Sequence, residues 1–235
     1  MIETGDYPFG PNVTLKVTKA KGGKWPLFVR IPGWCDEAKV TVNGRDAGKA
    51  EAGTFKRIDR EWEAGDEVTL LFPMEARVSH WEMDAVAVTR GPLLYSLEIP
   101  MEEQKVKKYK VPYEKEWIDN FGGDFPRKEL LPKGPWNYVL SLGKDGKLDA
   151  KASVVLVPSD PFVPGKAPVT ISVPAKRSDF GGWGYMREVT TGRAVDPPPS
   201  PIPDEGGEVE TLKLVPFGST QLRISLFPWF AKKGR

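Results

Sequence analysis

Apolar and polar residues alternate with a period of two along most of the chain. Val13-Thr14-Leu15-Lys16-Val17-Thr18 sets Val, Leu and Val on one face and Thr, Lys and Thr on the other. That is the pattern of a strand buried on one side only. The same alternation predicts strands at 27–31, stopped by Pro32-Gly33, and at 38–42, ended by the hairpin signal Asn43-Gly44. Residues 55–58 and 68–72 complete the set, flanking Trp62 and a turn at Gly65-Asp66. Turns at this spacing are those of a β-sandwich.

After a break at Pro73-Met74 the alternation resumes at 85–89 and 93–97, with Gly91-Pro92 between them. Further strands are predicted at 136–140, 153–157, 169–173, 212–216 and 220–226. Two stretches read as irregular: the charged, proline-punctuated segment 100–135, and the run from Gly181-Gly182-Trp183 to Pro197-Pro198-Pro199. No stretch has the apolar spacing of a three-turn helix. The expected architecture is all-β, with two consecutive antiparallel β-sandwich (jelly-roll-like) modules at 1–76 and 77–235. The second carries the long irregular insertions. The first is expected to lack one or two N-terminal strands, because residues 2–8 read as the tail of a strand whose partner lies upstream.

Composition narrows the chemistry. Glycine (24) and proline (23) make up a fifth of the 235 residues, against about 12% on average, which fits a turn-rich fold. Eleven Phe, eight Trp and six Tyr supply a core. One Cys and one His cannot make a four-ligand Cys/His zinc site or an intrachain disulfide. The formal charge is +2 with both signs interspersed, so no nucleic-acid partner is expected; the basic run Lys105–Lys110 reads as a solvated strand or loop. No apolar run approaches the roughly 20 residues of a membrane span. Residues 1–6 have neither the basic start nor the apolar run of a signal peptide, and the compartment stays open.

Several motifs in order carry a resemblance: Tyr7-Pro8; Arg30-Ile31-Pro32-Gly33-Trp34; Val40-Thr41-Val42-Asn43-Gly44; Arg60-Glu61-Trp62 with Gly65-Asp66; Arg90-Gly91-Pro92-Leu93-Leu94-Tyr95; Pro135-Trp136-Asn137-Tyr138; and residues 214–224, Leu-Val-Pro-Phe-Gly-Ser-Thr-Gln-Leu-Arg-Ile. Together they resemble the C-terminal half of glycoside hydrolase family 127, the β-L-arabinofuranosidases. The resemblance implies a parent with an N-terminal (α/α)6 barrel followed by β-sandwiches. It also implies retaining hydrolysis by a cysteine nucleophile, a glutamate acid/base and a zinc held mainly by cysteines, all in the barrel. None of those residues has a counterpart here, and Cys35 does not match the catalytic cysteine. No catalytic residue, metal ligand or cofactor is therefore expected in this chain, which alone should be inactive.

Among individual residues, Cys35 reads as a small packed residue beside Trp34, and His80 as a structural or surface histidine. Glu114, Glu116, Asp119 and Asp124 are candidates for a carboxylate pair, with nothing in their spacing to select two. Phe180, Trp183 and Tyr185, set among glycines, are the carbohydrate or domain-interface candidates, and Trp117 and Phe121 join them. Sugar stacking, contact with the barrel and ordinary core stay open for all five. Arg30, Arg60 and Arg90 stand beside turns, where a fixed carboxylate such as Asp66 or Glu98 would suit the guanidinium fork. The expected partners are the catalytic barrel, a plant-type glycan and a second copy through an open strand edge. Alternative readings are a free-standing carbohydrate-binding module and a truncated product without an independent role.

Overall fold

The structure, a computed structural model, describes residues 1–105, 128–154, 160–178, 197–204 and 206–231. Their regular structure is β throughout, apart from single 3-10 turns at Glu82–Asp84 and Phe217–Ser219. None of the described helices is long and apolar enough to cross a membrane.

The first half is built from β1 (Ile2–Gly5), β2 (Asn12–Lys16), β3 (Lys24–Arg30), β4 (Lys39–Val42), β5 (Arg45–Asp46), β6 (Phe55–Glu61) and β7 (Glu67–Leu71). Five of these form one sheet in the order β1-β2-β7-β4-β5, and β3 pairs with β6 in a separate ribbon. The alternation explains the layering. Val13, Val40, Val68 and Leu70 from the sheet pack with Val29, Trp25, Leu27 and Ile58 from the ribbon in one core. Trp62, fully buried, closes that core and donates its indole N–H to the Trp25 carbonyl at 3.1 Å. Asn43 and Gly44 take φ of 50° and 75°, and the two-residue turn brings Val42 opposite Arg45 as the sequence predicts. β1 turns back on β2 through Tyr7-Pro8, pairing Ile2 with Lys16, so its partner in this chain lies downstream.

The second half holds a nine-stranded sheet. Its path runs β18 (Trp229–Ala231), β13 (Tyr138–Leu142), β15 (Val169–Arg177), β16 (Glu210–Pro216), β10 (Leu93–Glu98), β9 (Val86–Arg90), β8 (Ala76–His80). β14 (Lys151–Val154) also pairs with β15, and β17 (Arg223–Ile224) with β10. Val86, Val88, Tyr95 and Leu97 from one end meet Leu140, Leu142, Ile171 and Val173 from the other in a single core. The sheet therefore curls over its own apolar face, which is how one sheet buries a core. β13 and β18 run parallel, a departure from a purely antiparallel reading. The segment 100–135 is not irregular at its ends: β11 (Met101–Lys105) and β12 (Lys128–Pro132) form an antiparallel ladder.

Among the described residues no strand ladder joins the first half to the second. Side chains do. Phe9, from the first half, belongs to the core of the curled sheet. Arg77 on β8 reaches back to the Trp34 carbonyl at 3.2 Å and the Asp36 carboxylate at 3.4 Å.

Candidate functional site

The four aromatic candidates, Phe180, Trp183, Tyr185 and Trp117, lie outside the described residues, as do Phe121, Glu114, Glu116, Asp119 and Asp124. Residues 106–110 of the basic run lie outside them too; Cys35, His80, Arg30, Arg60 and Arg90 are placed.

Cys35 is 1% exposed in the first core, with Sγ 4.0 Å from the Pro73 carbonyl oxygen. Burial is the main influence on the thiol and pushes its pKa up. A nucleophilic cysteine needs the opposite shift. His80, half-exposed, has Nδ1 2.6 Å from Asp84 Oδ1 and stands edge-on to Trp229. A zinc site of the kind the resemblance implies does not fit these donors. Cys35 and His80 lie in different elements, and no three His, Cys, Asp or Glu side chains among the described residues converge to hold a metal.

Of the three arginines, one meets an expected carboxylate. Arg60 lies 3.3 Å from Asp66 and stacks over Trp62 at 5.1 Å. Asp66 also accepts the Glu63 backbone N–H at 2.8 Å and the Asn43 amide at 2.6 Å. These donors, the Glu63 N–H first, hold its carboxyl below the usual range. The cluster pins the Gly65 turn to the Asn43 hairpin, which is structural work. Glu98 instead accepts the Gly165 backbone N–H at 2.8 Å. Arg30 is exposed at the end of β3.

Arg90 ends β9 on the same face as Val86 and Val88, and it is only 8% exposed. Its Nη1 donates to the Phe9 carbonyl at 2.9 Å, while Nε is buried without a partner. The next residue, Gly91, has φ of +57°, and a Cβ there would sit 2.8 Å from Met74 Sδ. The turn that presents Arg90 therefore requires glycine. Tyr95 is fully buried on the adjoining strand, its hydroxyl beside the Arg90 guanidinium. Burial pushes that phenol up, partly offset by the Arg90 charge. Beside Arg90 opens a groove of about 860 Å³ between β8 and the 145–152 stretch.

One further surface stands out. On the outer face of the β3–β6 ribbon Phe28 lies opposite Arg57, and Arg30 opposite Phe55. Phe28 and Phe55 are 54% and 64% exposed, diagonal to each other. The Arg57 guanidinium stands 5.8 Å from the Phe28 ring.

The class defined by this geometry is an all-β pair of core-forming units knitted by Phe9, Arg77 and Arg90. Residues 1–74 match the family model described as "Beta-L-arabinofuranosidase, GH127 middle domain". Solved structures share the fold over nearly the whole chain. One, described as a glycoside hydrolase, matches with a TM-score of 0.58 at 22% identity, covering 97% of this chain and 32% of that one. A GH127 β-L-arabinofuranosidase from Geobacillus stearothermophilus T6 matches with 0.54 at 23%, covering 98% and 30%. A further GH127 β-arabinofuranosidase matches with 0.55 at 17%, covering 97% and 31%. The chain thus spans about a third of the length of the solved structures it matches. A comparison with curated proteins finds no match. The resemblance read from the motifs is borne out as a likeness: residues 1–74 match the GH127 middle-domain model, and the chain shares its fold with part of these structures.

Proposed function

We propose that this chain is the non-catalytic C-terminal β-sandwich region of a glycoside hydrolase resembling family 127. The parent would remove terminal β-L-arabinofuranose with retention, and these residues would support its catalytic barrel. The observation that carries the reading is the match of residues 1–74 to the GH127 middle domain, together with a fold shared over a third of longer GH127 structures. The boundary near residue 76 belongs to the same proposal; it is supported by the separation of the strand ladders on either side of Pro73.

The Phe28–Phe55 face is the surface we assign to the barrel. Two large exposed rings on one ribbon are costly to leave in water, and Arg30, opposite Phe55, is exposed and able to meet a carboxylate, whereas Arg57 is already paired with Asp59 at 2.8 Å. The role of a support is then physical: burying this face couples the stability of the barrel to that of the sandwich. The test is co-purification of the 235-residue chain with a separately expressed GH127 barrel. The proposal expects association that Phe28→Ser with Phe55→Ser removes while the chain stays folded. No association of the wild-type chain, or association indifferent to the double change, contradicts it.

A further inference from the structure

We propose that the groove beside Arg90 binds a sugar-sized organic carboxylate, with the Arg90 guanidinium as its anchor. This inference is independent of the barrel-support reading.

The argument starts from a charge in the wrong place for packing alone. β9 alternates, and Val86 and Val88 send their side chains into the core of the curled sheet. Position 90 is next on that face, yet it carries a guanidinium that is more than nine-tenths buried. Buried charges are ordinarily paired, because removing an ion from water costs several kcal/mol unless an opposite charge replaces the solvent. The ion pairs among the described residues leave Arg90 out. Its polar neighbours are neutral: the Phe9 carbonyl accepts from Nη1, the buried Tyr95 hydroxyl lies beside the guanidinium, and Nε has no partner. An anion is the missing complement.

The groove that Arg90 lines is shaped for one. Its volume, about 860 Å³, lies within the roughly 300–1,000 Å³ of small-molecule sites. Ala76, Val78, Leu148 and Ala150 line it, all packed against the main core, so one wall is apolar and preformed. The other charges on its lining are already engaged or far weaker anchors. Arg77 is held by Trp34 and Asp36, Lys147 lies 3.8 Å from Asp145, and His80 meets Asp84. Glu75 also lines the groove and makes no ion pair with Arg90. Counting Glu75 and Asp145 against Arg77, Arg90 and Lys147, the lining is net positive. A carboxylate would meet the guanidinium charge where Arg90 lines the groove, while a ring or short chain lies on the apolar wall. A uronic acid and an open-chain organic acid share that chemistry.

Isothermal titration of the 235-residue protein separates these sources. D-galacturonate is the charged sugar, D-galactose its uncharged counterpart, and succinate a carboxylate without a ring. The proposal expects galacturonate or succinate to bind at least about ten-fold more tightly than galactose, the stronger acid identifying the source. Arg90→Gln should abolish that preference. Ala152→Trp, at an exposed groove position on β14 that leaves Arg90 in place, should block binding with the melting temperature and far-ultraviolet dichroism unchanged. Should Arg90→Gln fail to fold, Ala152→Trp decides. No heat from either acid, equal affinity for galactose, or acid binding undiminished in folded Ala152→Trp overturns the proposal.

Discussion

The Arg90 side chain donates to the backbone carbonyl of Phe9, eighty-one residues earlier, at 2.9 Å, both residues being buried. The ring of the same Phe9 is buried in the core of the curled sheet. One short turn of the first half is therefore held by the second at both its backbone and its side chain. The halves share no strand ladder among the described residues, so their coupling rests on side chains such as these.

Phe9→Ala is expected to cost about 3–5 kcal/mol, the usual range for deleting a buried aromatic. The loss should register in the second half although the change is in the first. Hydrogen exchange of the β9 and β10 amides is the measurement. Faster exchange there, as well as in β2, is the expected outcome; protection lost in β2 alone would show the halves to be uncoupled.

Asp66 predicts an acid-sensitive first half. Its folded pKa is depressed by the Glu63 N–H and the Asn43 amide. A depressed carboxylate contributes stability that is present above its unfolded pKa, about 3.9, and is lost as pH falls through the lower folded value. Urea unfolding between pH 6 and about pH 2 should show that fall in the wild type and a shallower one in Asp66→Asn. At neutral pH, Asp66→Ala should cost about 1–3 kcal/mol, since the Glu63 N–H and Asn43 amide lose their acceptor.

These elements also show how far the sequence can be read. Residues 169–173 alternate Val-Thr-Ile-Ser-Val, and β15 forms there with Val169, Ile171 and Val173 buried. β8 alternates too, Ala76-Arg77-Val78-Ser79-His80, but follows Pro73-Met74 so closely that the break hides it. β11, Met-Glu-Glu-Gln-Lys, has no apolar face at all and forms because β12 pairs with it. Register partners far apart in sequence leave no local trace, as with the parallel β13–β18 pair. The same limit applies to sites. Arg60 and Asp66 are six residues apart, close enough for the sequence to suggest the pair. Arg90 stands out in the sequence beside its turn, but the pattern there suggests a carboxylate such as Asp66 or Glu98 as its partner. A carbonyl eighty-one residues away takes that role, and the groove beside it has no motif.

Cys35 should behave as an inert thiol. Its burial and raised pKa predict no reaction with a disulfide reagent such as DTNB at pH 8 in the native protein, and one equivalent after unfolding. Rapid native-state modification would contradict the structural role.

The Phe28–Phe55 face should be dispensable to the isolated chain. Neither ring is buried, so Phe28→Ser with Phe55→Ser should change the unfolding free energy by no more than about 0.5 kcal/mol per site. A larger loss in denaturant unfolding would mean the rings serve the ribbon itself and not a partner.

The central claim, that these residues support catalysis without performing it, meets its most direct test in an assay of the purified 235-residue protein on an aryl β-L-arabinofuranoside. The account predicts no sugar release above that of the Cys35→Ala form. Turnover that Cys35→Ala abolishes would contradict it.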